Sequence, residues 1–247
     1  MRETTTTGAT PLVVGFIGLG DQGGPMARAV AEAGHTLHVW ARRRASLDVL
    51  TGVPYTAHDS PTALGTACGI VCLCLPEDAD VAGIAFDNGL LAHMRPGSVL
   101  VNHGTGLPDL ARRLTLAADA YGVGVLDAPV SGGRAGALAK ALTTIVGGDP
   151  GTAERCRPVF ESFSTTVVHM GGAGTGQLGK LFNNTLMMMN HKNVTADNAS
   201  HLRKLELLDM ELFSAAVSSS DVSAEAVVSR AVAGARALED LVRAVAS

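Results

Sequence analysis

A glycine-rich turn between an apolar run and a helix-forming stretch constrains the fold of this chain more than any other feature. The run at residues 12–17 predicts a buried strand, and it leads directly into Gly18-Leu19-Gly20-Asp21-Gln22-Gly23. Pro25 near the start of the following segment and Gly34 at its end are typical helix boundaries. A second strand is predicted from Thr36 to Trp40, so these segments together indicate a βαβ unit.

The glycine spacing in this turn, GxGxxG, is typical of a dinucleotide-binding site. Glycines let the backbone approach a pyrophosphate, and the N–H groups at the start of the following helix can hold its negative charge. A tight strand–helix turn without a ligand is the other interpretation of the same motif. We predict that a dinucleotide contacts the whole turn, namely Gly18, Leu19, Gly20, Asp21, Gln22 and Gly23.

The end of the second predicted strand indicates which dinucleotide is bound. NAD(H) is usually held by an acidic residue about 20 residues beyond the fingerprint, which binds the ribose 2′-OH. Here the segment reads VWARRR, with arginines at Arg42, Arg43 and Arg44 and no acid. Guanidinium groups suit a 2′-phosphate because they form charge-assisted, forked hydrogen bonds with it. We therefore predict NADP(H), bound by Arg42 and Arg43; a solvated basic helix start is the alternative.

Strand-like and helix-like segments continue to alternate as far as residue 169. Strands are predicted at residues 69–75, 98–102, 123–126, 143–146 and 166–169, and helices at residues 108–120 and 152–160. This alternation predicts an α/β fold with a doubly wound, mostly parallel, Rossmann-like sheet. We expect a disordered lead over residues 1–10 and a dinucleotide-binding domain over residues 11–173. A small all-helical domain for substrate binding and dimerisation is expected over residues 174–247.

Composition limits the partners that the chain is expected to have. The 247 residues are 47% hydrophobic and 17% charged with a net charge of −4, which describes a globular protein. Nucleic acid and anionic membranes attract clustered Lys and Arg, so neither is an expected partner. The four cysteines lack CxxC spacing, and Cys72 and Cys74 alternate in an apolar run, so we expect a buried strand rather than a metal site or disulfide. With no membrane-length apolar stretch and no signal peptide, a reducing cytoplasm is the expected compartment.

The segment at residues 174–191 opens with small turn-forming residues and continues as an apolar helix. At about 100° per residue, Lys180, Asn184 and His191 project from one face of that helix. Burial of a lysine and an amide without partners would cost roughly several kcal/mol. These side chains therefore satisfy one another, face a bound polar molecule, or reach solvent on a long stem as exposed lysines do.

Polar residues also lie just past the carboxyl ends of predicted strands, where ligands of such sheets bind. Pro76, Thr105 and Ser131 have this placement. His103 has it too, but a single loop histidine is more often a surface group than a catalyst, and we expect a surface group. Ser131-Gly132-Gly133 combines a hydroxyl with exposed N–H groups, which could hold a carboxylate; an ordinary loop is the alternative.

Four segments resemble the β-hydroxyacid dehydrogenases, the group containing 3-hydroxyisobutyrate dehydrogenase, tartronate semialdehyde reductase and glyoxylate/succinic semialdehyde reductases. GFIGLGDQGGPMA at residues 15–27 is similar to the family's cofactor signature, although Gln22 stands where Met is usual. Leu75-Pro76 and Thr105 resemble its further cofactor contacts. DAPVSGG at residues 127–133 resembles its substrate loop, and GTGQLGKLFNN at residues 174–184 resembles its catalytic helix.

The resemblance implies a reaction and a role for each matching residue. A hydride would pass between NADP(H) and a small aldehyde or keto acid that carries a carboxylate, with Lys180 as general acid/base. Asn184 would hydrogen-bond the reacting group, and Ser131, Gly132 and Gly133 would bind the carboxylate. Such a lysine works best when burial lowers its pKa, which Phe182 and the nearby methionines would achieve.

Departures from the family pattern leave other interpretations open. Only 67 residues follow Lys180, fewer than in the family, and no later Lys-Asp-Leu segment is found. We expect a second subunit to complete the site, in a homodimer or higher homo-oligomer formed through the C-terminal helices. The alternatives are an NADP(H)-binding regulatory or scaffold protein with impaired catalysis, and an imine reductase-like enzyme, although Lys180 and DAPVSGG favour hydroxyacids. His191 would touch a longer substrate or form hydrogen bonds in a subunit interface.

Overall fold

The computed structural model describes residues 11–190, and for residues 186–190 it describes the backbone alone. The predicted lead at residues 1–10, most of the predicted helical domain, and His191 lie outside the described residues. The predicted domain boundary at residue 173 stays a prediction.

Nine strands form one sheet in the described part of the chain. Their order is β3-β2-β1-β4-β5-β6-β8-β7, with β9 paired to β8. The strands are β1 Val13–Ile17, β2 Thr36–Trp40, β3 Thr56–Ala57, β4 Ile70–Leu73, β5 Val99–Asn102, β6 Gly124–Asp127, β7 Val130–Ser131, β8 Leu142–Gly148 and β9 Ser164–Gly171.

Eight α-helices connect these strands within the described residues. They are α1 Gly23–Glu32, α2 Pro61–Ala67, α3 Asp78–Ala82, α4 Leu90–His93, α5 Pro108–Asp119, α6 Gly133–Leu138, α7 Pro150–Glu161 and α8 Thr175–Asn190. A 3-10 helix at Arg44–Leu50 and a single π turn at Gly83–Asp87 complete the connections. None of the described helices is both long and apolar enough to cross a membrane.

Alternation along the central strands places apolar side chains on both faces of the sheet. Ile70 and Cys72 of β4 pack into a core with α1 and α7, whereas Val71 and Leu73 pack into a second core with α2, α4 and α5. A strand buried on both faces requires a continuous apolar sequence, as β4 has. The predicted doubly wound sheet is confirmed.

The sheet is mostly parallel, as predicted, but its far edge changes direction. The pairs from β3 through β6 are parallel, whereas β8 runs antiparallel to β6 and β7. The two-residue strands β3 and β7 and the short helix α6 were not predicted, because so few residues carry no readable periodicity. The reversal places β7 and α6 beside the carboxyl end of β6.

Candidate active site at the carboxyl edge of the sheet

The loops that follow β1, β4 and β5 meet at the carboxyl edge of the sheet. A Cβ atom at Gly18 would overlap the backbone oxygen of Cys74, and a Cβ at Gly104 would lie 2.5 Å from the backbone oxygen of Leu75. These glycines therefore allow the three loops to touch backbone to backbone. The predicted cofactor residues Leu75, Pro76 and Thr105 lie on this edge, next to the glycine turn.

The glycine turn itself fits a dinucleotide. Gly18 has a φ of +96°, which side-chain-bearing residues rarely adopt, and a Cβ at Gly23 would overlap the backbone oxygen of Gly18. Gly20 differs, because a Cβ there would meet nothing within 4 Å. No side chain caps α1 at Gln22, and the backbone N–H of Gly24 donates to the oxygen of Gly20 at 2.9 Å. The turn leaves room where a pyrophosphate needs close backbone approach.

A cleft of about 280 Å³ opens at the carboxyl end of β2. Its lining includes Trp40, Arg42, Arg44, His58 and Asp59. Arg42 lines this cleft, whereas Arg43, which is exposed like its two neighbours, is not among the cleft-lining residues. Arg44 takes that place and forms an ion pair of 3.1 Å with Asp59.

The start of helix α8 is fixed by Asp127, the last residue of β6. Its Oδ1 accepts a hydrogen bond from the backbone N–H of Gly174, and its Oδ2 accepts one from Gln177, each at 2.8 Å. Burial raises the pKa of Asp127, and these N–H groups oppose that shift. The carboxylate therefore acts as an N-terminal cap supplied by a distant strand.

Gln177 connects the same helix to the loop after β5. Its Nε2 donates to the backbone oxygen of Gly104 at 2.7 Å, and its Oε1 accepts from the backbone N–H of Gly106 at 2.8 Å. The side chain is buried, with 1% of the residue exposed. Thr105, a predicted cofactor contact, is thus held between two backbone groups that Gln177 fixes.

Lys180 lies one turn further along α8 and is 8% exposed. Its Nζ donates to Oδ1 of Asn184 at 2.9 Å, so the predicted shared face of these two residues is observed. This burial excludes the alternative in which the Lys180 side chain extends into solvent. Phe182 does not contribute to the burial as expected, because it is 51% exposed on another side of the helix.

Asn183 joins the helix to the predicted substrate loop. Its Nδ2 donates to Oγ of Ser131 at 3.2 Å and approaches Oδ1 of Asn184 at 3.4 Å. Lys180, Asn184, Asn183 and Ser131 therefore form one connected polar group. Lys180 and Ser131 are 49 positions apart in the sequence. In the fold they are linked through the side chains of Asn184 and Asn183.

The glycines that follow Ser131 adopt backbone conformations that other residues rarely adopt. Gly132 has a φ of +126° and Gly133 a φ of +59°, and α6 begins at Gly133. A Cβ at Gly133 would meet nothing within 4 Å, so the backbone is open there. Arg134 reaches back from α6 to Asp21 of the glycine turn at 3.4 Å. The predicted substrate loop and the glycine turn thus face each other.

His103 is not a surface group, which corrects the expectation from its loop position. It is 2% exposed, and its ring lies among the rings of Phe16, Phe160 and Phe163. Nδ1 lies 2.8 Å from the backbone oxygen of Ala128, so it carries the proton and donates. Burial lowers the pKa of His103 to about 4, and the hydrogen bond to Ala128 opposes this. The ring is therefore a neutral support beneath the substrate loop.

Three residues of this site lie within the quoted motifs, but the sequence did not indicate their individual roles: Asp127, Gln177 and Asn183. Asp127 directly follows the strand predicted at residues 123–126, and this position could have indicated a role at the carboxyl edge. Asn183 stands beside Asn184, and a helix with two successive amides could have indicated a wider polar face. No signal in the sequence indicated that Gln177 would be buried against Gly104.

All four cysteines are free thiols. Cys72 is buried within β4 as expected, and Cys74, one residue beyond its end, is half-buried; burial raises the pKa of Cys74 to about 12. Among residues 11–190, no group of three or more His, Cys, Asp or Glu side chains could hold a metal ion.

The fold, the glycine turn and the basic cleft define an NAD-binding α/β domain. Residues 13–172 match the family described as the NAD binding domain of 6-phosphogluconate dehydrogenase. Together with its similarity to 3-hydroxyisobutyrate dehydrogenases, this match shows that the chain belongs to the β-hydroxyacid dehydrogenase family.

Two relatives and one solved structure illustrate the similarity. An NAD-dependent L-serine dehydrogenase of Pseudomonas aeruginosa is 39% identical over 175 residues, which cover 70% of this chain and 59% of that protein. The mitochondrial 3-hydroxyisobutyrate dehydrogenase of Drosophila melanogaster is 31% identical over 220 residues, covering 89% of this chain and 67% of that protein. The 3-hydroxyisobutyrate dehydrogenase of Mycobacterium tuberculosis, solved with L-serine, is 29% identical with a TM-score of 0.70, covering 86% of this chain and 72% of that one. The chain thus matches about three fifths of the first relative and two thirds of the second.

Proposed function

We propose that the protein is an NADP(H)-dependent oxidoreductase acting on a small 3-hydroxy acid or the corresponding carboxylate-bearing aldehyde or keto acid. The observation that carries this proposal is the connected group of Lys180, Asn184, Asn183 and Ser131 beside the loop that Gln177 holds. A proton donor, an amide and an anion-binding loop meet where the predicted cofactor contacts converge. The names of the family relatives support the same substrate class.

Different residues of this site can carry out different parts of the proposed reaction. When bound, NADPH supplies a hydride. Lys180 donates a proton to the carbonyl oxygen, or accepts one from the hydroxyl in the oxidative direction, and its Nζ is already oriented by Asn184. Ser131 and the open backbone at Gly132 and Gly133 bind the carboxylate through O–H and N–H donors, which orients the reacting carbon.

The choice of NADP(H) rests on the cleft at the end of β2. Arg42 and Arg44 supply two guanidinium groups there, and the only acid lining the cleft among the described residues, Asp59, is paired with Arg44 at 3.1 Å. The Pseudomonas relative is named as NAD-dependent, which supports NAD(H) instead. The measured affinities for NADPH and NADH decide between the two cofactors. Tighter binding of NADPH than of NADH, reduced selectively by Arg42→Ala, is the expected result; equal binding contradicts it.

The proposed activity is tested by steady-state kinetics. NADPH oxidation is followed with a panel of semialdehydes, and NADP⁺ reduction with 3-hydroxy acids that include 3-hydroxyisobutyrate and L-serine. Lys180→Ala is expected to lower kcat by about 10²–10⁴-fold because the proton donor is lost. Lys180→Arg keeps the charge but cannot exchange a proton at neutral pH, so it should be equally slow.

The control is Lys140→Ala, at an exposed lysine whose loss should leave kcat within about twofold of the parent. A Lys180→Ala variant that retains a tenth of the parent kcat contradicts the role of Lys180. Tight NADPH binding without turnover of any substrate would favour the regulatory or scaffold alternative. Turnover of cyclic imines but not of carbonyl compounds would favour the imine reductase alternative.

The assembly and location of the protein belong to the same proposal. We propose a homodimer or higher homo-oligomer in the cytoplasm, formed through the helices beyond residue 174, with residues 11–173 as the dinucleotide-binding domain. The expected apparent mass by light scattering is therefore at least twice that of the 25.3 kDa chain.

A further inference from the structure

Two histidines form a pair at the inner end of the cleft that follows β2. Nδ1 of His38, on β2, lies 2.8 Å from Nε2 of His58, just after β3. Their rings are stacked, with centroids 5.0 Å apart and planes inclined by 24°. The backbone is fixed as well, since the N–H of His58 donates to the oxygen of Val39 at 2.9 Å. His58 is therefore held by both its backbone and one ring nitrogen.

The His58 ring lines the same cleft as Arg42 and Arg44. Because Nε2 of His58 is engaged with His38, Nδ1 is the ring nitrogen that can meet a ligand in the cleft. Burial lowers the pKa of His38, and the nearby His58 contributes to the shift. With Nδ1 of His38 donating to Nε2 of His58, the proton of the neutral His58 ring lies on Nδ1. A proton on Nδ1 makes this atom a hydrogen-bond donor towards an anion.

The position of the arginine side chains is weakly constrained by contacts with the rest of the protein. The side chain of Arg44 is 84% exposed, and its Asp59 partner is 94% exposed, so this ion pair lies almost wholly in solvent. An exposed pair of this kind contributes little and leaves the guanidinium many conformations. A half-buried imidazole with fixed backbone and a fixed ring partner offers a donor at a defined position, at lower entropic cost.

We propose that His58 is a specificity-determining residue for the cofactor, which donates a hydrogen bond from Nδ1 to the 2′-phosphate of NADP(H), with His38 as its positioning residue. This inference rests on the proposed NADP(H) preference, and it adds His58 to the residues that would bind the 2′-phosphate. The charged groups that face His58 are Arg42 and Arg44, which favour an anion, and Asp59, which opposes one.

Calorimetric binding of two fragments to the full chain tests the inference without any turnover. Adenosine 2′,5′-bisphosphate carries the 2′-phosphate, and adenosine 5′-monophosphate lacks it. His58→Ala is expected to weaken binding of the bisphosphate about 10- to 100-fold, as for loss of a hydrogen bond to a charged group, and to change binding of the monophosphate less than about twofold. His58→Asn, whose amide can replace Nδ1–H, should recover most of the loss.

The variant His38→Phe, which keeps a ring for stacking but removes the hydrogen bond, should weaken bisphosphate binding by an intermediate factor. His93→Ala, at an exposed histidine on α4, serves as the matched control and should change neither affinity. Thermal unfolding of each variant shows that the chain is folded.

Two negative outcomes are distinguishable. If the parent protein binds both fragments equally, the NADP(H) preference itself is wrong, and the role of His58 is wrong with it. If the parent prefers the bisphosphate and His58→Ala keeps that preference, the proposed function stands and the role of His58 is overturned. Equal weakening of both fragments in His58→Ala also overturns it, because a specificity residue must act on the 2′-phosphate alone.

Discussion

The Nδ2 group of Asn183 donates a 3.2 Å hydrogen bond to the hydroxyl of Ser131, and this contact fixes the proposed substrate loop to helix α8. Replacing Asn183 with Ala should therefore raise the KM for the carboxylate substrate by about 3- to 10-fold, as expected for one hydrogen bond. The KM for NADPH should change less, because neither Asn183 nor Ser131 is among the predicted cofactor residues.

A double-mutant cycle checks this relationship. If Asn183 acts through the Ser131 hydroxyl, Asn183→Ala should add almost nothing in a Ser131→Ala background. Asn88→Ala is the control. This exposed amide lies outside the polar group that contains Asn183 and Ser131, so both KM values should stay unchanged. Fully additive effects of the two variants would show that Asn183 does not work through Ser131.

Gln177 should be important for stability because its amide satisfies two buried backbone groups. Gln177→Leu leaves the Gly104 oxygen and the Gly106 N–H without this partner, which should lower the free energy of unfolding by about 2–4 kcal/mol. Leu178→Ala, at the next and half-exposed position, should cost about 0.5 kcal/mol. Urea unfolding at pH 7 measures both. A Gln177→Leu change smaller than that of Leu178→Ala would contradict the bridging role.

His103 should make stability depend on pH. Its pKa in the fold is about 4, below the ordinary value of 6.5, so the folded state binds fewer protons than the unfolded state. The stability that the neutral ring contributes is complete above pH 6.5 and is lost as the pH falls towards 4. At pH 4.5 the loss from this residue should be about 2–3 kcal/mol relative to pH 7.

The variant His103→Asn isolates this effect, because its amide can still donate to Ala128 but does not titrate. Subtracting its unfolding free energy from that of the parent at pH 7 and pH 4.5 removes the other titrating groups. The parent should lose about 2–3 kcal/mol more than the variant over this range. Parallel pH profiles would show that the ring of His103 is not held neutral.

Two glycines of the same turn should respond differently to substitution. A Cβ at Gly20 meets nothing within 4 Å, so Gly20→Ala should fold with nearly the parent stability. Its methyl group would occupy space that the pyrophosphate needs, so the Kd for NADPH should rise roughly tenfold or more. Gly23→Ala should instead destabilise the protein by about 2 kcal/mol or more, because its Cβ overlaps the Gly18 oxygen.

Thermal unfolding and fluorescence titration with NADPH separate these two outcomes. An unchanged Kd for Gly20→Ala would mean that the dinucleotide does not approach this turn. A fully stable Gly23→Ala would mean that the turn can open at Gly18.

The central sheet could be predicted from the sequence because its strands are buried on both faces. Strands such as β4 and β5 must be continuously apolar, and the turns after them must carry the small or polar residues that meet ligands. The 3.6-residue period also predicted that Lys180 and Asn184 share a face, and their 2.9 Å hydrogen bond follows from it.

Contacts between distant segments were harder to predict, since no local period encodes them. Asp127 caps a helix that begins nearly 50 positions later, and Gln177 bonds a loop more than 70 positions earlier. His103 was misjudged for the same reason, because the three phenylalanines around it come from β1, from α7 and from the turn just beyond α7. His58 was overlooked because β3, the strand that carries it to the cleft, is two residues long.

The ion pair between Arg134 and Asp21 spans the gap between the substrate loop and the cofactor turn, and both side chains are mainly in water, 59% and 77% exposed. A bond of 3.4 Å at such exposure contributes at most about 1 kcal/mol, comparable to thermal energy. This ion pair is too weak to hold the two loops together. On the proposed function, the breaking of this ion pair should therefore not limit how fast substrate and cofactor exchange between the two loops.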